Sequence, residues 1–579
     1  MRFARFVEHL EGIERVSSRL TMTELLVNLL RDLEVAETKA GIYLMLGSLL
    51  PAYEGLEFSM AGKTVVKSLA LASDQNNEEV EAIYKEKGDL GEVAKILLKK
   101  TESNLTLLEV YEELLRLARV SGVGSSELKQ QMLARILAKT GKADAGLVAK
   151  IVMGKLRLGF SEKTILDALC QMDSGNKLRR KELDAVYQLV PDAGTIATMV
   201  KEQGLEVVVK KPQIKLGIPV VNALCQRLDS SEEMIKKMKV VAVERKFDGT
   251  RVQIHLFKDG TVKSFTRNLE ESSKQFPELR QLALNVNCKE VVLDAEAVGY
   301  DKKTGAILPF QMTITRKRKH GIEEAAQLVP LRFYIFDCLF VDGETVVAKS
   351  YEQRREILSK IIKKNDIFVV DDFVKTDSAS KIHEQHEKYL QEGFEGAVVK
   401  KWDGAYLPGR QGWNWVKIKE SEGSSGKLSD TLDLVVMGYY LGKGKRAGFG
   451  IGAFLVGTKV HEESDEIVTV AKIGTGITDE LFAELKSRLD MLRLDNIPHE
   501  YRIDKNLLPE VMVKPKLIVE IAADEITKSP IHTAGVALRF PRLIKLRDDK
   551  GLDGVTTLSE IKKIGGIEVV ESNPDEQAN

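Results

Sequence analysis

Lys246 stands at the end of an apolar, β-branched run, Val241-Ala-Val-Glu-Arg, in a chain of 579 residues. Asp248-Gly249 then predicts a tight turn, and the alternating run Val252-Gln-Ile-His-Leu256 predicts a second strand, so the segment has the pattern of a β-hairpin. Glu244 lies two residues before Lys246, and on a strand both side chains face the same side. Taken alone, Lys-x-Asp-Gly fits a hairpin with a solvated lysine as well as it fits a catalytic lysine.

Five further stretches place polar or aromatic side chains within apolar β runs, where an unpaired charge is costly. Each has a simple structural explanation on its own: an edge charge, core packing or a solvated strand face. Together they supply carboxylates for a metal ion, cations for phosphates and an aromatic ring for a base, which is what a nucleoside triphosphate requires. These side chains are Arg267, Glu296, Phe336, the pair Glu395 and Lys400, and the pair Lys417 and Lys419.

The composition predicts a globular protein with no membrane span. Hydrophobic residues make up 43% of the chain and charged residues 30%, and no apolar run approaches the roughly 20 residues that cross a bilayer. The first residues show no export signal, so a cytoplasmic location is expected. Lys+Arg and Asp+Glu both number 86, so only local basic faces could bind nucleic acid. The four cysteines are far apart in sequence, which argues against a zinc site and against disulfides.

The chain is long enough for roughly three or four domains, and its patterns change character twice. Residues 1–212 carry amphipathic helical patterns, with Thr21 as the predicted cap of an early helix. After a proline-containing linker, residues 213–422 alternate β runs with short helices, which is an α+β pattern.

A glycine–serine joint at 423–426 opens the last region, residues 423–579. Strand patterns near residues 433, 454, 467, 517 and 543, with one helix near 478–493, predict a small closed β-barrel of the OB type. The last residues, 571–579, have the composition of a frayed tail.

Six motifs follow one another in a fixed order: Lys246-Phe-Asp-Gly249, Ser264-Phe-Thr-Arg-Asn268, Asp294-Ala-Glu296, Phe333-Tyr-Ile-Phe-Asp337, Glu395-Gly-Ala-Val-Val-Lys400 and Trp415-Val-Lys-Ile-Lys419. In this order the chain resembles the covalent nucleotidyltransferases and, more narrowly, the ATP-dependent DNA ligases of the archaeal and eukaryotic replicative type. The resemblance covers nearly the whole chain. It extends to Pro309–Lys319, Ile526–Gly535, Leu538–Arg542 and Arg547–Lys550.

The resemblance implies a multidomain enzyme: an all-α DNA-binding domain (1–212), an α+β nucleotidyltransferase or adenylation domain (213–422) and a β-barrel OB-fold domain (423–579). It implies that Lys246 attacks ATP to form lysyl-AMP, that AMP then passes to the 5′-phosphate of a nick, and that the 3′-hydroxyl displaces AMP and seals the strand. Roles in replication, repair and recombination follow from the same resemblance.

The resemblance also assigns the other site residues. Glu244 would contact the adenine edge, Phe336 would stack on its face, and Glu296 would hold the ribose or a metal. Glu395 would bind Mg²⁺, with Mn²⁺ as an alternative, because hard carboxylate oxygens suit these ions. Phosphates would be neutralised by Arg251, Arg267, Arg410, Lys417 and Lys419, and the C-terminal domain would bring Arg547, Asp549 and Lys550 to ATP for the first step.

Two other functions share parts of this pattern. An RNA ligase or an mRNA-capping guanylyltransferase uses the same Lys-x-Asp-Gly chemistry, although the helical leader and Leu538–Arg542 favour DNA. A DNA-binding protein on a decayed ligase scaffold is the non-enzymatic alternative, and an intact Lys246 argues against it. The expected partner is nicked double-stranded DNA, bound by a monomer. No Gln-anchored sliding-clamp motif is clear, which leaves clamp association open.

Overall fold

The computed structural model describes residues 1–100, 103–156, 158–210, 212–228, 230–316, 321–418, 431–442, 450–474 and 477–565. Lys419, the joint at 423–426 and the tail at 571–579 lie outside these residues. The chain forms two compact units, residues 1–419 and 420–579, and each is described by itself. Within the described residues, no helix has the length and apolar character needed to cross a membrane.

The first part of unit one is helical, as predicted, and its helices share one hydrophobic core. The second helix begins two residues before the predicted cap, because Ser18 rather than Thr21 caps it: the Ser18 hydroxyl accepts the Thr21 N–H at 3.5 Å. The helices are α1 (Phe3–Glu14), α2 (Arg19–Asp32), α3 (Val35–Met45), α4 (Gly62–Ser73), α5 (Asn77–Lys87), α6 (Leu90–Leu97), α7 (Leu107–Arg119), α8 (Ser125–Lys139), α9 (Lys142–Val152), α10 (Glu162–Ser174), α11 (Arg180–Leu189), α12 (Ala193–Gln203) and α13 (Leu205–Lys210).

A buried carboxylate joins distant parts of this helical region. Asp192, the fully buried cap of α12, accepts hydrogen bonds from the hydroxyls of Tyr43 and Tyr53, both at 2.9 Å. It also accepts the backbone N–H of Thr195 at 2.9 Å. One side chain therefore ties α3 and the turn after it to the start of α12.

Asp192→Ala should lower the free energy of unfolding by about 3 kcal/mol, because two buried hydroxyls and a helix N–H lose their acceptor together. Urea unfolding followed by circular dichroism measures the change. Asp184→Ala, which removes a partly exposed partner of Arg180 on α11, is the matched control and should change stability little. An equally stable Asp192→Ala would contradict this view of the network.

The second part of unit one contains two β-sheets, in which all pairings but one are antiparallel, together with helices, which confirms the α+β prediction. One sheet has the order β10-β9-β1-β8, and the other β3-β2-β4-β5-β6 with β7 parallel to β5. The strands are β1 (Val241–Arg245), β2 (Thr250–Leu256), β3 (Val262–Thr266), β4 (Val291–Gly299), β5 (Leu331–Val341), β6 (Glu344–Thr345), β7 (Phe368–Val370), β8 (Phe373–Thr376), β9 (Ala397–Lys401) and β10 (Trp415–Ile418); the helices are α14 (Ser231–Met238), α15 (Phe310–Ile314), α16 (Ile322–Leu328), α17 (Tyr351–Ile361) and α18 (Ala379–Gln391).

The predicted hairpin around Asp248-Gly249 is wrong. Strand β1 pairs with β8 and β9, whereas β2 pairs with β3 and β4, so residues 246–249 cross from one sheet to the other. Gly249 is required at this crossing, because a Cβ there would lie 2.5 Å from the carbonyl oxygen of Ala297. The crossing places Lys246 where the two sheets meet.

Unit two is rich in strands and has the predicted OB-type character. Strand β11 lies between β12 on one side and β16 and β17 on the other, and β20 extends the sheet beyond β17. The five predicted strands correspond to β11, β12, β13, β17 and β20, and the predicted helix to α19; the remaining strands are too short to show a pattern in sequence. The elements are β11 (Leu432–Tyr440), β12 (Ala453–Lys459), β13 (Ile467–Ile473), α19 (Asp479–Asp490), β14 (Arg493–Leu494), β15 (Tyr501–Arg502), β16 (Val511–Val513), β17 (Ile518–Ala522), β18 (Glu525–Lys528), β19 (Val536–Arg539), β20 (Arg542–Leu546) and α20 (Leu558–Ile564).

Candidate active site

Lys246 extends β1 by one residue and faces an acid from the neighbouring strand. Its ammonium group forms an ion pair with the carboxylate of Glu395, which lies just before β9. Two backbone hydrogen bonds of 3.0 Å hold the pair in register: Lys246 N–H donates to the Gly396 carbonyl, and Glu395 N–H donates to the Lys246 carbonyl. The side chains are 20% and 14% exposed, so solutes can reach both.

Glu244 lies two residues before Lys246 on the same strand, and its carboxylate is buried. Oε2 lies 2.6 Å from the ammonium nitrogen of Lys400 on β9, and Oε1 accepts a hydrogen bond from the hydroxyl of Tyr351 on α17. Lys400 also donates to the backbone carbonyl of Phe336 at 3.2 Å and lies 4.7 Å from the centre of its ring. A single lysine, which the sequence left without a role, therefore connects Glu244 and Phe336.

Phe336 is partly exposed and packs between cations and an aromatic ring. Its ring centre lies 5.9 Å from that of Trp415, in an edge-on arrangement, and 5.4 Å from the guanidinium carbon of Arg251. The ring is thus fixed by its neighbours, as a stacking platform for a base requires.

All three nitrogens of the Arg251 guanidinium group form hydrogen bonds with other groups of the protein. Its Nε and Nη2 bind the two carboxylate oxygens of Asp294 at 2.9 and 2.6 Å, and Nη1 donates to the carbonyl of Ala223 at 2.6 Å. Asp294 is fully buried and also accepts the Tyr406 hydroxyl at 2.8 Å. This arrangement neutralises a buried carboxylate, and contact between Arg251 and a phosphate stays a prediction.

Glu296 is paired with Arg251 across β2 and β4. Burial raises the pKa of Glu296 to about 7, while the positive charges of Lys246 and Arg251 oppose that rise. The negative charges of Asp294 and Glu395 add to it. The charges of Lys246 and Glu395 thus act in opposite directions on the pKa of Glu296.

The remaining predicted cations of unit one lie in different surroundings. Arg267 and Arg410 are exposed, in the loops that follow β3 and precede β10. Asn222 joins these loops, because its side-chain amide donates to the backbone carbonyl of Arg267 at 3.2 Å and its backbone carbonyl accepts the N–H of Gly409 at 3.0 Å. Lys417 is partly buried on β10, opposite Val398 of β9.

In unit two the three predicted residues lie together after β20. Arg547 binds both oxygens of Asp433 at 3.0 and 3.1 Å, and Lys550 binds Oδ2 of Asp433 at 2.6 Å. Asp549 forms two hydrogen bonds with Arg547, at 2.9 and 2.7 Å, and the Arg547 guanidinium holds the pKa of Asp549 well below its usual range. Asp433, at the start of β11, had no predicted role, because nothing in sequence connects it to Arg547.

Three family models match successive parts of the chain. They are described as DNA ligase N terminus (residues 2–170), ATP dependent DNA ligase domain (222–419) and ATP dependent DNA ligase C terminal region (447–550).

Relatives match over the full length. The chain is 38% identical over 570 residues to a probable DNA ligase of Dictyoglomus turgidum, with 97% of each chain covered. It is 36% identical over 602 residues to DNA ligase 2 of Korarchaeum cryptofilum, with 100% of each covered. A solved structure titled Pmar-Lig_PreS3 superposes with a TM-score of 0.54 at 17% identity, covering 94% of this chain and 99% of that one, and supports the fold alone.

Proposed function

The chain belongs to the ATP-dependent DNA ligase family, whose general function is nick sealing, and on that premise we propose that Lys246 carries the adenylate in this protein. The observation that supports this most strongly is the position of Lys246. It lies where β1 ends and the chain crosses to the other sheet, is 20% exposed, and forms an ion pair with Glu395.

The first step joins Lys246 Nζ to the α-phosphorus of ATP and breaks the bond to pyrophosphate. The lysine must lose a proton to become a nucleophile, and the positive charge of a metal ion held by Glu395, which accepts a hydrogen bond from the lysine, would favour loss of that proton to water. In the second step a 5′-phosphate oxygen of the nick attacks the adenylate and frees Lys246. In the third, the 3′-hydroxyl attacks that phosphate, AMP leaves, and the strand is sealed.

The residues present fit a magnesium ion. Mg²⁺ is usually held by one or two carboxylates and completes its shell with water and substrate phosphates. Glu395 and Glu296 offer two carboxylates at the lysine, and the described residues contain no cluster of three or more His, Cys, Asp or Glu that would form an all-protein site. We propose that these two residues hold the ion, which when bound would neutralise charge on the phosphates.

The base and the phosphates would be bound by the residues around this centre. Glu244 would accept a hydrogen bond from the amino group of adenine, and Phe336 would stack on its face. Glu296 would alternatively hold the ribose hydroxyls. The cations proposed for phosphates are Arg267, Arg410, Lys417 and Lys419 in unit one and Arg547 and Lys550 in unit two, with Asp549 orienting Arg547; Arg251 would contribute charge from behind its ion pair with Asp294.

We propose nicked duplex DNA as the substrate and the helical region, residues 1–212, as its binding domain. The boundaries at 212/213 and 422/423, the cytoplasmic location and the monomeric state stay predictions, and clamp association stays open. These matters do not affect the assignment of Lys246.

Incubation with α-³²P-ATP and Mg²⁺, followed by denaturing electrophoresis and a chase with nicked DNA, tests the proposal. A labelled band that nicked DNA discharges, with a sealed strand as product, is expected. Labelling by GTP in place of ATP, or discharge by RNA ends alone, would indicate a capping enzyme or an RNA ligase. Absence of a band even after pyrophosphate treatment, which removes any adenylate already present, would contradict the proposal.

Phe336→Ala should weaken ATP binding about tenfold, because the base loses its stacking partner. The measurement is the ATP concentration that gives half the maximal rate of labelling. Phe257→Ala, at a partly exposed ring beyond the end of β2, is the matched control. Unchanged ATP affinity in Phe336→Ala would count against the stacking role.

A further inference from the structure

The guanidinium group of Arg355, on α17, faces the buried carboxylate of Glu244. Its Nη1 lies 3.8 Å from Oε1 of Glu244, beyond hydrogen-bond distance, and has no hydrogen-bond partner among the described residues. The side chain is only 9% exposed. A buried guanidinium N–H without an acceptor is unusual and asks for an explanation.

The rest of Arg355 is held firmly, so that this nitrogen cannot turn elsewhere. Nη2 donates to the backbone carbonyl of Asp371, and the guanidinium lies 5.1 Å from the ring centre of Phe373. The carboxylate of Asp371 in turn binds Arg245, the residue after Glu244, at 2.8 Å. Phe373 pairs directly with Glu244 across β1 and β8. Arg355 is therefore held by Asp371 and by Phe373 of β8, the strand that lies beside Glu244 on one side.

The oxygen that Arg355 faces is the one already bound by Tyr351. The Tyr351 hydroxyl donates to Oε1 of Glu244, while Lys400 holds Oε2 at 2.6 Å. With a hydroxyl on one oxygen and an ammonium group on the other, the buried Glu244 carboxylate has little freedom to turn. Both neighbours are donors, so in these contacts the carboxylate acts as an acceptor.

We propose that Arg355, together with Tyr351, is a positioning residue that makes Glu244 select adenine over guanine. Adenine carries an amino donor at position 6, which a fixed carboxylate accepts. Guanine carries a carbonyl oxygen there, which the same carboxylate repels, and a carboxylate free to turn or to take up a proton would lose this discrimination. The inference rests on the proposed contact between Glu244 and the adenine edge.

The test compares labelling by α-³²P-ATP and α-³²P-GTP, each as rate over nucleotide concentration, in variants of the full-length chain. Arg355→Met should lower the ratio of ATP to GTP labelling about tenfold, because the buried Glu244 carboxylate loses the positive charge that lies 3.8 Å from it. Arg355→Lys should recover part of the ratio. Tyr351→Phe, which removes one atom, should lower the ratio in the same direction and serves if Arg355→Met does not fold.

Arg332→Met is the matched control. Arg332 stacks on Tyr300 at 4.2 Å and donates to the carbonyls of Asp366 and Gly305, so its loss should leave the ratio unchanged. Equal loss of ATP and GTP labelling in Arg355→Met and in Tyr351→Phe, or no loss in either, would overturn the inference.

Glu244→Gln separates this inference from the function on which it rests. If Glu244→Gln lowers the ratio while Arg355→Met and Tyr351→Phe do not, the positioning role alone fails. If Glu244→Gln leaves the ratio unchanged, the proposed contact with adenine fails and the inference falls with it. If the unaltered chain forms no adenylate, the proposed function itself fails.

Discussion

Lys246→Ala is expected to form no labelled adenylate and to seal no ordinary nick. The alanine has no nitrogen to attack the α-phosphorus, so the covalent intermediate has no atom on which to form. The measurement is labelling by α-³²P-ATP followed by a sealing assay on a nicked duplex that carries a 5′-phosphate.

A second substrate shows whether Lys246→Ala has lost only the formation of lysyl-AMP or has failed to fold. A nick that already carries AMP on its 5′-phosphate needs only the attack of the 3′-hydroxyl, in which Lys246 forms no bond. Lys246→Ala should therefore still seal the adenylated nick. Lys258→Ala, at an exposed lysine beyond β2, should behave as the unaltered chain. Full sealing of ordinary nicks by Lys246→Ala would disprove the lysyl-adenylate.

The sequence predicted the elements of this site better than their pairing. Apolar runs identified β4 and β5, alternation of side chains identified β2, and the end of another apolar run located Lys246 at the end of β1. The same alternation could not show that β1 and β2 belong to different sheets, because a strand pattern records which face is buried and not which strand lies beside it. The turn signal at Asp248-Gly249 favoured a hairpin, in which β1 would pair directly with β2.

The supporting residues were hidden for a related reason. Asp433 and Arg547 are 114 positions apart, and Tyr351 and Glu244 are 107 apart, so no local spacing connects them. Lys400 was visible as a charge on a strand, yet its contacts with Glu244 and Phe336 arise only when β9 lies beside β1. Contacts between side chains of different strands and helices are a property of the tertiary fold, whereas motifs are a property of the chain.

Arg251 shows what tertiary contacts add to an assignment made from motifs. Its place among the motifs predicts a phosphate ligand, which stays a prediction, and the fold shows in addition that its three nitrogens bind Asp294 and Ala223. Arg251→Met should lower the free energy of unfolding by about 3–5 kcal/mol, because the buried carboxylate of Asp294 is left without its counter-charge. Urea unfolding measures this loss, and Arg280→Met, at an exposed arginine of the same region, should cause little change.

A double variant separates the structural role of Arg251 from a direct role at the phosphates. Arg251→Met with Asp294→Leu removes the buried pair as a whole, and such replacements are often neutral or stabilising, so most of the stability should return. If labelling by ATP returns together with stability, Arg251 acts mainly by neutralising the buried carboxylate of Asp294. If stability returns while labelling stays low, the nucleotide needs the guanidinium group itself. The ion pair with Asp294 would then serve to hold the guanidinium group in place for the nucleotide.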